Sequence, residues 1–164
     1  MNALPTTFTE WLGGDSFLLE ICPARENRGA EVQRIQELSP EALTEGRRIA
    51  CGASLELVRG GLLYALDALS AAHEIFQRDS TALGSYWHGM MHRREGDFGN
   101  ACYWFRAAGR VEALAEWPEF DPIQFTMRCS RNGRADAGLL ADQRREWDTL
   151  MRFCFNQAVV SRSS

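Results

Sequence analysis

Residues Ser85–Ala108 read SYWHGMMHRREGDFGNACYWFRAA, and the way this stretch divides decides the fold. Gly96-Asp97 splits it into two halves of helical character. A glycine closing the first half supplies the left-handed residue that ends a helix, and an aspartate opening the second accepts from free N–H groups at a helix start. The spacing predicts a helix from about Leu83 to Glu95, a tight turn at Gly96-Asp97, and a helix from Phe98 to about Ala108 stopped by Gly109. So short a connection forces the two helices antiparallel, as a hairpin.

The same signals recur on both sides. Towards the C-terminus, Trp117-Pro118-Glu119-Phe120 interrupts, and Asp121-Pro122 opens a helix to about Arg131 that ends at Asn132-Gly133. A last helix carries Leu140, Gln143, Trp147, Leu150, Met151, Cys154 and Ala158 on one face, with Arg144, Arg145 and Glu146 on its rim, and 160–164 should fray. Towards the N-terminus, Leu62, Leu66, Leu69 and Phe76 recur at helical spacing with His73 on their stripe, before punctuation at Ser80-Thr81 and Gly84. Ser39-Pro40-Glu41 predicts a helix running towards Arg59, with Gly60-Gly61 as a hinge or turn after it, or a continuation through the pair at a cost of about 1 kcal/mol per glycine. Before residue 39, Phe8, Trp11, Leu12, Phe17, Leu18, Leu19 and Ile21 are too apolar for a solvated tail, while Gly13-Gly14 and Pro23 interrupt any long helix. Short helical turns packed on the body are expected there, then a loop over Arg25–Gly29 and a short helix near Ala30–Leu38. No stretch alternates at period two, so essentially no sheet is expected. The expectation is an all-α fold: one compact domain over 1–164, made of an irregular N-terminal arm (1–38) and a core of packed antiparallel helix hairpins (39–160).

Composition narrows the function classes. A chain of 164 residues is long enough to bury roughly 70% of its unfolded surface without staples. Its 45% hydrophobic and 24% charged residues are those of a folded domain. A net charge of −4 disfavours nucleic acid and anionic membranes as partners. All 18 basic residues are arginine, which excludes Schiff-base lysine chemistry and lysine-ended phosphate loops. The five cysteines form no C-x-x-C pair, so neither a disulfide framework nor a zinc ribbon is expected, and reduced thiols are. With no leader-like segment and no bilayer-length apolar run, the expected location is the cytoplasm.

Gly89, the Gly96–Phe98 turn, Ala101, Phe105 and Ala108 together resemble a single tetratricopeptide-type repeat, in which a small residue lets two antiparallel helices approach and an aromatic on the second fills the groove. No second copy at a period near 34 residues is found. The longer string YWHGMMHRREGDFGNACYWFR, with QRREWDTLMRFCFNQA near the C-terminus, resembles a helical protein family carrying a YWHxxMHRREGDxxNxxYWFR-like motif. That likeness runs from about Tyr64 to Ala158 and implies no activity.

Within the hairpin, His88, His92 and Glu95 share one helix face. A buried imidazole without partners costs about 1–3 kcal/mol, so these rings must be bonded to something. Three environments satisfy them. One is a polar network in which Glu95, Asn100, Tyr103 or backbone carbonyls satisfy the rings and the arginines form ion pairs that fix helix packing. A second is a divalent transition metal on His88, His92 and Glu95, with His73 as a fourth ligand. The third is a small-molecule or anion pocket in which Arg93, Arg94 and Arg106 supply planar cations, Tyr86, Trp87, Tyr103 and Trp104 supply stacking surfaces, and Asn100 adds an amide. Cys102 lies inside a helix among aromatics, which suits an inert thiol. The reading is a helical binding or scaffold module with a polar His/Arg/aromatic pocket for a protein, small-molecule or anion ligand. The alternative is a metal-dependent enzyme, such as a hydrolase, in which His88, His92 and Glu95 hold the ion and Asp97 or Tyr103 assists.

Overall fold

The computed structural model describes residues 4–14, 17–18, 20–27, 29–132 and 136–160. Its elements are α1 (Thr6–Trp11), α2 (Ala30–Glu37), α3 (Pro40–Leu43), α4 (Gly52–Ala65), α5 (Leu69–Phe76), α6 (Ala82–Glu95), α7 (Phe98–Ala108), a 3-10 turn (Glu112–Leu114), α8 (Pro122–Asn132) and α9 (Ala137–Ala158). The fold is all-α. Among the described residues the β pairing is confined to one antiparallel bridge, Ile49 with Val159.

The hairpin forms as its residues require. Thr81 caps α6 by accepting from Gly84 N, and Gly96 closes it in the left-handed conformation at φ 81°. Asp97 then caps α7 by accepting from Asn100 N. A Cβ placed on Gly89 would lie 2.9 Å from the Phe105 ring, so the missing side chain sets how closely α6 and α7 pack. Asp121 Oδ1 likewise accepts from Ile123 N and Gln124 N at 2.8 and 3.0 Å to start α8.

Two expectations fail between residues 39 and 76. Ser39 does cap a helix, accepting from Ala42 N at 3.2 Å, but that helix ends at Leu43 instead of reaching Arg59. Glu45 and Gly46 take positive φ of 50° and 72° and turn the chain away. The next segment lies along the end of α9, with Ala50 N donating to Ala158 O at 2.8 Å, and helix resumes only at Gly52. Gly60-Gly61 is no hinge, because α4 runs straight through it. A Cβ at Gly60 would stand 2.5 Å from Phe76 Cε1, and one at Gly61 2.2 Å from Met151 Sδ. The pair therefore admits α5 on one side and α9 on the other, and that packing outweighs a helix cost of about 1 kcal/mol per glycine. The chain turns instead at Leu66–Ala68, with Asp67 at φ 61°.

Helix α4 is the pivot of the bundle, contacting α2, α3, α5, α6 and α9. Its Arg59 is buried and donates to the carbonyls of Ile35 and Leu38 at 2.6 and 2.8 Å, satisfying the free C-terminal acceptors of α2 with a cation where the helix dipole favours one. The N-terminal arm packs on the body as expected. Phe8 meets Phe155 edge-on at 5.6 Å and Phe17 meets Trp147 at 4.9 Å. Leu19 of the expected arm core, Arg28 of the expected loop, Gly133 of the expected stop and the fraying Ser161–Ser164 lie outside the described residues. No helix among the described residues is long and apolar enough to cross a membrane.

Candidate metal centre

Helix α6 is covered on nearly all sides, so its polar residues must find partners inside the protein. It does this with two separate groups, one charged and one of imidazoles.

The charged group gathers the arginines. Arg93 and Arg94 are fully buried. Arg93 pairs with Glu146 of α9, itself 0% exposed, and Tyr86 donates its hydroxyl to Glu146 Oε1 at 2.6 Å. Arg94 pairs with Asp67 and donates to the Glu20 carbonyl at 2.7 Å, a carbonyl that also accepts from Gln143 Nε2 at 3.1 Å. Burial alone would lower the Arg93 guanidinium, but the Glu146 carboxylate beside it reverses this and holds it above its ordinary value. Burial, and then the same carboxylate, push the Tyr86 hydroxyl well up. Glu146, placed on the rim of α9 by its charge, therefore sits in the core. The signal for it was its phase, three residues after Gln143 and four before Leu150 on the buried stripe. Asp67 had no comparable signal.

This arrangement separates the residues grouped as a ligand pocket. Trp87 is fully buried, stacked on Phe76 at 5.3 Å with its N–H on Cys154 Sγ. Arg93 and Arg94 are committed to carboxylates. Asn100 Nδ2 donates to Asp97 Oδ2 at 3.2 Å in the α7 cap, and Tyr103 is 60% exposed. Tyr86 and Arg106 alone of the set line one common cleft, of about 380 Å³, with Phe105, Trp117 and Phe120. Asp97, offered as an assisting acid, is occupied by its cap.

The imidazoles, in contrast, converge. His88 and His92 project from one face of α6 towards His73 of α5, and one ring nitrogen of each lies within 4.8 Å of the others. His88 Nε2 and His73 Nε2 are 2.9 Å apart. The His88 and His92 rings stack at 4.8 Å, and His73 stands across both at 4.7 and 5.5 Å. Trp104 of α7 stacks on His88 at 4.1 Å. His88 and His92 are buried and His73 is half-buried. Glu95, a direct ligand in the metal reading and a partner of the rings in the network reading, places Oε2 3.1 Å from His92 Nδ1, which leaves Nε2 as that ring's other nitrogen. Burial, together with the neighbouring His92 and His73, lowers the His88 imidazole to about 4. It is thus neutral near pH 7, the form that ligates metals. No family model, no curated protein and no solved structure matches the chain.

Proposed function

We propose that this chain is a helical metal-binding module whose ligand is a single divalent transition-metal ion held by His73, His88 and His92. The observation that carries the reading is the convergence of all three histidines of a 164-residue chain on one point, with ring nitrogens within 4.8 Å of one another. The donor set decides the class of ion. Three imidazoles suit zinc, copper, nickel or ferrous iron, while magnesium and calcium demand oxygen ligands. With metal–nitrogen bonds of about 2.0–2.1 Å, two donors at a tetrahedral angle stand roughly 3.3 Å apart. The 2.9 Å between His73 and His88 needs to open by a few tenths of an ångström, and the wider separations, up to 4.8 Å, to close as the His92 ring swings in.

Glu95 supports the same reading from outside the ligand set. A carboxylate on the far nitrogen of a ligating histidine fixes its tautomer, aims its other nitrogen and raises its basicity. Trp104 against His88 holds that ring's plane. The three ligands come from α5 and α6, so a bound ion ties those helices together and stabilises the folded chain by mass action.

The test uses untagged protein. Zinc or cobalt should bind at one ion per chain and raise the Tm, and a chelator should lower it again. His92→Ala should abolish both responses, and Glu95→Gln should weaken binding by about 10–100-fold while leaving the stoichiometry intact. A parent protein that takes up no ion, and whose Tm ignores both metal and chelator, would reduce the cluster to hydrogen-bonded neutral imidazoles and end the reading.

A further inference from the structure

Resting on the reading of His73, His88 and His92 as a metal centre, we infer that the bound ion keeps one exchangeable position and that its occupant is a small monovalent anion. The argument begins with ligand number. The cluster contains three donor atoms, and no thiolate or carboxylate among the described residues belongs to it. A closed structural site for such ions normally supplies four, whereas three protein ligands leave a position for an exogenous one. The carboxylate beside the cluster, Glu95, is turned onto His92 Nδ1, which leaves Nε2 of that ring to face an ion.

Charge then selects the occupant. Three neutral imidazoles contribute nothing to offset a dication, and His88 and His92 are only 6% and 8% exposed, so water compensates it poorly. Glu95, one shell further out, supplies a single negative charge. One unit of positive charge remains at the centre, and an anion in the fourth position neutralises it at the shortest distance available. Access fits as well. Trp104 covers His88 on the α7 side, while half-buried His73 is the most exposed of the three rings and marks the side from which a small group would approach.

Cobalt(II) reports this directly, because its visible d–d bands respond to the number and type of ligands. The full chain would be loaded with cobalt and titrated with azide and, separately, with acetate. A saturable shift in band position and intensity is expected with either anion. In Glu95→Gln, which retains the three imidazoles and removes the outer charge, the shift should half-saturate at lower anion concentration than in the parent. If the parent spectrum ignores both anions while Glu95→Gln responds, Glu95 is itself the fourth ligand and the inference is overturned. Indifference of both cobalt-loaded proteins means a closed site and overturns it too. Failure of the parent to bind cobalt at all would defeat the metal reading beneath it, a result separable from the others by stoichiometry alone.

Discussion

Arg93 and Glu146 meet with neither side chain exposed, and the energetics of such a pair are asymmetric. Desolvating both ions offsets most of their attraction, so the pair itself adds little net stability, yet removing one partner leaves the other charged in the core. Glu146→Ala should therefore destabilise by about 3–5 kcal/mol, read as a drop in the urea midpoint. Glu146→Gln, which keeps acceptors for Tyr86 and Arg93 but not the charge, should lose less. A Glu146→Ala protein with the parental midpoint would place Arg93 in contact with solvent. At this scale the sequence was a mixed guide. His88 and His92 were legible as neighbours because their spacing on α6 is local information, whereas His73 reaches them only through the packing of α5 on α6. The arginines stayed open between ion pairs and a ligand pocket, because whether Arg93 meets a ligand or Glu146, 53 residues away, depends on which helix lies opposite.

Among the elements, the caps were legible and the glycines were ambiguous. Ser39, Asp97 and Asp121 each accept from N–H groups at the start of the helix that follows, since capping needs only the neighbouring few residues. A glycine signals either a turn or a close approach, and the backbone alone does not choose. Gly89 is a close approach, so Gly89→Leu should overpack the hairpin and cost about 3 kcal/mol. Gly52 opens α4, and a Cβ added there would meet nothing within 4 Å. It should accept alanine with no loss and a gain of up to about 1 kcal/mol. Both are measurable in one thermal series. Equal melting of Gly89→Leu and the parent would mean that α6 and α7 do not pack through Gly89. The same ambiguity explains the misreading of Gly60-Gly61. Their role follows from Phe76 of α5 and Met151 of α9, residues that no local reading of α4 can supply.

For the molecule as a whole, the cysteines are a solution readout of the fold. No disulfide joins the cysteines among the described residues, and Cys102, Cys129 and Cys154 are buried. The neighbouring Ser54 lowers the Cys51 thiol, while burial pushes Cys129 up to about 11 and Cys154 up to about 12. Since the thiolate is the reactive form, iodoacetamide at pH 8 should modify Cys51 first in the native protein and reach Cys129 and Cys154 only on unfolding. Mass mapping of the alkylated peptides checks the order, and early labelling of Cys154 would show that the α4–α9 interface opens readily. The all-α class, the central hairpin, most helix starts and the grouping of His88 with His92 were determined by the sequence alone, because each depends on interactions within a few residues. Tertiary structure decided the rest. It broke the helix expected after Ser39, carried α4 through its glycine pair, buried Glu146, withdrew Arg93 and Arg94 from any ligand, and brought His73 of α5 onto the histidine face of α6. Each of these depends on which surfaces face one another once the chain has collapsed, and burial favours the arrangements in which charged groups such as Arg93 and Glu146 meet.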